Sequence, residues 1–285
     1  FNVIATNMTI SRVSIQFTTL FGSFYLGGSY LTISNCSYHN VLAEDHFWTL
    51  DVASAKIEEI SISQSVAGNF VYSTKKNATI MMQNIALEKS SVIWLLNSIR
   101  SAEVKMQNIS AVNSSISVAN ITNVAMSTLE NITMTQNHEA YKPMFLIQDS
   151  GLFTLRDFFL SGGSTNRSVF DISICNTVFI TNLEIERLSL LKPLGNMEGV
   201  TSLTMDNWVV QDITAGTKFM QFSSRYTTVS NVSFHRITTG GILVLESFLL
   251  FNAYEYDSSL NITNFSFTDS RLASNYMFHT SILIN

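Results

Sequence analysis

TIMMQNIALE at Thr79–Glu88 returns as EVKMQNISAV at Glu103–Val112 and again as MSTLENITMT at Met126–Thr135. In each copy an Asn divides two stretches in which apolar and polar residues alternate. Alternation of period two marks a strand with one buried face. Outward from these copies, the same phrase occurs as ATNMTI around Asn7, ISNCSY around Asn35, TLRDFFL around Asp157 and FITNLEI around Asn182. It continues as TMDNWVV around Asn207, TVSNVSF around Asn231 and NITNFSF around Asn264. EEISIS fills the interval between Asn35 and Asn84, with Glu59 in the Asn slot. Successive anchors lie 23 to 28 residues apart, with 33 before Asn264. A fixed period in this range means one structural unit per repeat, each stacked on its neighbours.

The unit from Asn69 to Glu88 shows how a repeat is built: NFVYSTKK, NATIMMQ, NIALE. These are three strand-length stretches rich in β-branched and aromatic residues, which favour strand over helix. A sharp corner is expected at the Asn, with looser corners elsewhere. Asn suits a tight corner because it tolerates the left-handed αL conformation and its amide can satisfy local backbone groups. Stacking this corner on every coil is expected to place Asn7, Asn35, Asn84, Asn108, Asn131, Asp157, Asn182, Asn207, Asn231 and Asn264 in a ladder inside the turn, with amides bonded along the stack. Apolar residues stack inside in the same way, and Cys36 takes the slot that Ile85, Ile109, Ile132 and Val232 fill elsewhere.

In period, three-strand units and recurring Asn corner, nearly the whole chain resembles the pectin-lyase-like right-handed parallel β-helix superfamily. The resemblance implies an all-β solenoid of about 11 coils of about 25 residues, a single segment over residues 1–285. At ~4.8 Å per coil the rod would be ~50 Å long. That fold serves polysaccharide lyases and hydrolases, phage tailspikes, secreted adhesins and large extracellular repeat proteins of protists. Low charge and abundant Ser, Thr and Asn look most like the last two groups. A leucine-rich horseshoe has a similar period, but no LxxLxLxxN consensus repeats here. A β-sandwich would not hold this register through so many units.

Composition narrows the function. Charged residues are 13% of the chain, about half the usual quarter. Polarity comes instead from 38 Ser, 27 Thr and 25 Asn. A net charge of −5 and the lack of any basic run argue against nucleic acid. The longest apolar stretch, GILVLESFLLF at Gly241–Phe251, holds Glu246 and falls short of a membrane span. The chain opens on Phe1 within the repeat pattern, with no visible signal peptide or terminal cap, and is expected to be part of a longer protein.

Sequons of the form N-x-[ST] occur at Asn7, Asn35, Asn77, Asn108, Asn113, Asn120, Asn131, Asn166, Asn231, Asn261 and Asn264. That is 11 of 25 Asn, against about 6 expected from Ser and Thr content alone. Six coincide with the ladder and could be products of the repeat: a corner Asn, an inward apolar residue, an outward hydroxyl. Asn77, Asn113, Asn120, Asn166 and Asn261 lie off the ladder and are the glycosylation candidates of a secreted or cell-surface glycoprotein. A ladder Asn that fills the turn could not also carry a sugar.

Other constellations carry less. Cys36 and Cys175 are 139 residues apart, between five and six coils, hence more than ~24 Å, too far for a disulfide. Both read as buried thiols. The five His (His39, His46, His138, His235, His279) show no metal-ligand spacing, and no cofactor or metal is expected. EDHFW at Glu44–Trp48 and GGSTNRS at Gly162–Ser168 read as surface loops, the first a possible sugar or partner site. Met81, Met82, Met106 and Met126 read as strand filling. Carboxylates pair as Glu44/Asp45, Glu58/Glu59, Glu184/Glu186 and Glu255/Asp257; Glu184 and Glu186 should share an outward face. Two carboxylates at suitable separation could serve a glycoside hydrolase. The NTD, DD, GHG and RIK motifs of polygalacturonases are absent, however. Arg100, Arg156, Arg187 and Arg236 are scattered without the Asp cluster a calcium-dependent lyase needs. The expected function is therefore a non-catalytic structural or adhesive extracellular module, a fibre subunit or segment, with a carbohydrate-active enzyme as the alternative. Its expected partners are copies of itself, neighbouring segments of the same protein, or glycans.

Overall fold

Each strand pairs in parallel with the strand one turn further along the chain. Thr79 stands beside Glu103, Glu103 beside Met126, then Leu152, Thr177, Ser202, Tyr226 and Ser259 follow in one continuous column. The result is a parallel β-solenoid. The computed structural model describes residues 2–138, 142–216, 219–239 and 259–272, among which there is no helix. Gly241–Phe251, the pair Glu255/Asp257 and His279 lie outside the described residues.

The corners are set by αL residues. Asn35, Glu59, Asn84, Asn108, Asn131, Asp157, Asn182, Asn207, Asn231 and Asn264 all have φ between 50° and 56°. Asn7 does not belong to this column. It stands beside Tyr30, five residues short of the corner, and Arg12 with φ 56° occupies the corner of the first coil. Arg12 donates its backbone N–H to Ser34 O at 3.1 Å, next to Asn35. Nine turns separate Arg12 from Asn231, fewer than the eleven expected; Asn264 stacks on Asn231 beyond residues 240–258.

A second αL residue follows five positions after the first in every coil. These are Phe17, Asn40, Gln64, Lys89, Asn113, Gln136, Gly162, Arg187, Asp212, Arg236 and Asp269. The second corner is thus as tight as the first. Each αL residue shifts the in–out alternation by one, so two consecutive residues face outward. In Met82–Ser90 the interior takes Met82, Ile85, Leu87 and Ser90, and the outward doublets are Gln83–Asn84 and Glu88–Lys89. Among the described residues six turns have a third αL corner: Asn77, Arg100, Asn123, Asp149, Ile174 and Gly199.

Corners pull main-chain groups away from the ladder, and a buried hydroxyl repairs this. Ser65, Ser90 and Ser114, each just past the second corner, are at most 5% exposed. Ser90 Oγ accepts the Ser65 N–H at 3.2 Å and donates to Glu88 O at 2.9 Å; Ser114 does the same for Ser90 and Val112. A buried donor would otherwise cost about 1–3 kcal/mol.

Inside, like stacks on like. The position after the first corner holds Cys36, Ile60, Ile85, Ile109, Ile132, Phe158, Leu183, Trp208 and Val232, all buried. Aromatic rings stack along the axis: Phe47 on Phe70 at 5.5 Å and Phe145 on Phe170 at 5.6 Å between centroids. Met82 and Met106 fill the core as expected, but Met81 faces outward and Met126 is exposed. EDHFW is not a loop. It lies within the strand Phe24–Ser63, with a register shift between Ala43 and His46. The strand Leu152–Thr165 likewise runs through most of GGSTNRS. Both cysteines are free and buried, and burial pushes the Cys175 thiol up to about 11.

Candidate functional site

The first corner column forms a ladder, but on the outside of the molecule. Asn108 Nδ2 donates to Asn84 Oδ1 at 2.9 Å and Asn131 Nδ2 to Asn108 Oδ1 at 2.8 Å. Asn182 donates to Asp157 at 2.8 Å, Asn207 to Asn182 at 2.9 Å and Asn264 to Asn231 at 3.0 Å. Asn231 turns aside to Asp206 at 2.9 Å, which Ser230 also reaches at 2.6 Å, and these bonds hold the Asp206 carboxyl below its ordinary range. Every corner side chain in this column is exposed. The expectation that these residues fill the turn is corrected for a simple reason: an αL residue between two strands carries its Cβ outward, and the next residue takes the interior.

A solvated amide contributes less than a buried one, so the backbone decides the cost of substitution. Asn108→Leu is expected to destabilise by about 1–2 kcal/mol, mainly the αL penalty of a branched side chain. Asn108→Gly, which keeps the conformation and loses the amide, should cost at most ~1 kcal/mol. Denaturant midpoints of the two variants check this. Equal losses would mean that the amide bond, not the dihedral, holds the corner.

A second chain of amides, not anticipated from the sequence, links the third strands of four consecutive coils, crossing diagonally from Asn69 to Asn97, since Asn69 stands beside Trp94 and Asn97 beside Tyr72. His46 contacts Asn69 at 2.8 Å, Asn97 donates to Asn69 at 3.3 Å and Asn120 to Asn97 at 3.1 Å. His46 also lies on the Tyr72 ring at 4.2 Å and beside Asp45 at 3.0 Å. Asn120, half-buried, is therefore a ladder residue as well as a sequon. The only signal in the sequence was the spacing of Asn97 and Asn120, equal to one repeat.

The remaining glycosylation candidates are dispersed. Asn77 and Asn113 sit at αL corners, the first exposed and the second half-buried; Asn166 and Asn261 are exposed. The other six sequons (Asn7, Asn35, Asn108, Asn131, Asn231 and Asn264) are exposed too. Thus no sequon asparagine is fully buried. Burial therefore does not keep the ladder asparagines from carrying sugar.

Several outward carboxylates are engaged by neighbours, most of them one turn away. Glu184 and Glu186 share an outward face as expected, but Glu186 is bound by Ser161 at 2.8 Å and Gln211 at 3.2 Å, with Arg187 beside it. Glu58 meets Lys56 at 2.8 Å and Gln83 at 2.6 Å, and the Lys56 bond holds its carboxyl low. Glu59, its partner in sequence, is a corner residue pointing elsewhere. Asp212 is gripped by Arg236, with Nη2 to Oδ2 at 2.7 Å, which depresses its pKa. Lys75 at 2.9 Å and the Tyr25 hydroxyl at 2.9 Å together hold Asp51 low, and the same bond holds the Tyr25 phenol high. Among the described carboxylates Asp171 moves the other way, raised by burial. Among the described residues no group of three His, Cys, Asp or Glu is placed to hold a metal ion. No helix among them is long and apolar enough to cross a membrane.

A groove of about 500 Å³ runs along the third corner. Lys76, Asn77, Arg100, Asn123 and Asp149 form its polar lip on one side and Ala102, Ala125 and Gly151 line the other, with the buried Ser101 and Val124 beneath. No family profile, curated protein or solved structure matches this chain, so the fold stands on the strand register itself.

Proposed function

We propose that this chain is a non-catalytic structural or adhesive segment of an extracellular glycoprotein, within the pectin-lyase-like branch of parallel β-solenoids. The observation that carries it is the outward placement of the sequons: all eleven asparagines are exposed or half-buried on a surface of Ser, Thr and Asn columns. Carboxylates spent on cross-turn pairs support a structural use of charge over a catalytic one. The expected partners are copies of this chain, neighbouring segments of the same protein, or glycans. Association between copies extends into a filament when it does not close on itself.

Expression in a secretory eukaryotic host, with glycopeptide mapping, tests the reading. Sugar is expected at Asn166 and Asn261 and on some ladder sequons. Asn108 and Asn131, consecutive rungs ~4.8 Å apart, should not both be occupied on one molecule. Protein secreted without any sugar, or cleavage of an acidic polysaccharide that Glu186→Gln abolishes, would overturn it.

A further inference from the structure

The groove at the third corner lies where consecutive turns hold small residues in one column. Ala102 O accepts the Met126 N–H, Ala125 O the Leu152 N–H and Gly151 O the Thr177 N–H, which places Ala102, Ala125 and Gly151 directly above one another. Gly151 cannot be enlarged: a Cβ there would lie 2.5 Å from Ala125 O. The next residue in the column is Asn176, whose O accepts the Ser202 N–H, and it ends the row of small side chains. The lip is polar and asymmetric. Lys76 and Arg100 stand at one end, Asp149 at the other and Asn123 between. Neither Lys76 nor Arg100 forms an ion pair among the described residues. Methyl groups on one side and mixed donors and acceptors on the other suit a sugar ring, which has apolar C–H faces and a rim of hydroxyls. A volume of about 500 Å³ falls in the range of sites for small ligands.

Asn77 supplies the sugar. It is exposed, sits on the lip at an αL corner, and begins the sequon Asn77-Ala78-Thr79. We infer that the N-linked glycan on Asn77 folds back into this groove and packs its first N-acetylhexosamines over Ala102 and Ala125. Lys76 and Arg100 then donate to acetamide and hydroxyl oxygens, and Asp149 accepts from hydroxyls. The groove thus belongs to the molecule's own covalent sugar, and its occupant stiffens the turns between Lys76 and Gly151. This rests on the glycoprotein reading given above.

The test is site-resolved trimming of the native glycoprotein by an endoglycosidase, read by mass spectrometry. Glycans on Asn166 and Asn261 serve as internal references. A docked sugar is cut only while undocked, so release at Asn77 is expected to be about tenfold slower than at the references. Ala125→Trp, a change at an exposed position, fills the groove and should restore the reference rate. Lys76→Ala, which removes one lip donor, should restore part of it and serves if the first variant folds poorly. Trimming of wild-type Asn77 at the reference rate, or slow trimming that survives both substitutions, would overturn the docking. Occupied Asn166 and Asn261 beside a bare Asn77 would sink this inference alone; bare asparagines at all three would sink the glycoprotein reading with it.

Discussion

Trp208→Ala is expected to cost about 3–5 kcal/mol, the largest loss from any single truncation in the interior. Trp208 is fully buried and occupies the position after the first corner, between Leu183 on one turn and Val232 on the next. Its ring lies 6.0 Å from that of Phe170, and its Nε1–H donates to Ile180 O at 2.8 Å. Truncation opens a cavity in a column that neighbouring turns cannot collapse, because their backbones are fixed by cross-turn hydrogen bonds. It also removes the donor to Ile180. Trp208→Phe retains most of the volume and loses only the polar contact, so it should cost about 1–2 kcal/mol. Circular dichroism through a denaturant titration would read both. In a stacked array the damage should stay local, with faster hydrogen exchange in Leu183–Leu190 and Val229–Ile237 and little change before Gly151. A loss below ~1 kcal/mol would mean that the interior here is loosely packed.

The register of the solenoid was legible because it rests on a short-range pattern repeated at fixed spacing. Asn84, Asn108 and Asn131 could be aligned by eye, and Glu59 could be placed by interval alone. Two features misled. The triplet Asn7-Met8-Thr9 looks like a corner sequon, yet the corner is Arg12, since no local signal tells an exposed strand Asn from an αL Asn. Recognition by residue type also hid the second corner, whose occupants range from Phe17 to Gly162 and Arg187. The information was present in another form. An αL residue makes two successive side chains face outward, so coils carry two outward doublets five residues apart, polar in most of them: Gln83–Asn84 and Glu88–Lys89, Thr181–Asn182 and Glu186–Arg187, Asp206–Asn207 and Gln211–Asp212. Searching for interruptions of the alternation would have found both corners. It would also have turned Asn108 outward, because the apolar Ile109 must take the inside position.

The same geometry explains why sequons gather at the corner. The residue after the corner faces in and the next faces out, so Asn-apolar-hydroxyl is the cheapest spelling of this turn. Ser37, Ser110, Thr133, Ser233 and Ser266 all occupy that outward place. Sequon number alone is therefore weak support for glycosylation, and their exposure is the stronger one. The third-strand chain His46–Asn69–Asn97–Asn120 and the groove at Ala102–Gly151 were not legible, because both depend on which residues of different turns come within reach of one another. That alignment is set by loop lengths between corners, and these vary from turn to turn.

Gly163→Ala is expected to destabilise by roughly 2–5 kcal/mol, although Gly162→Ala beside it should cost only about 1–2 kcal/mol. Composition alone would place both glycines in one permissive loop. Gly162 is the second-corner αL residue, φ 70°, and a Cβ there would meet nothing closer than 3.9 Å. Its substitution carries the conformational penalty and no more. Gly163 has φ 108° and stands beside Asn137 one turn before; a Cβ would lie 2.0 Å from Asn137 O, a main-chain atom that cannot swing away. Relief requires the turns to separate. Asn137 is itself 2% exposed, and its Oδ1 accepts the Ile116 N–H at 3.2 Å, so displacement would carry into a further turn. Thermal unfolding of the two variants distinguishes contact between turns from loop flexibility. Equal and small losses would show that the strand is free to bulge at Gly162–Gly163. A large loss confined to Gly163 would show that the spacing between turns is fixed here by main-chain contact.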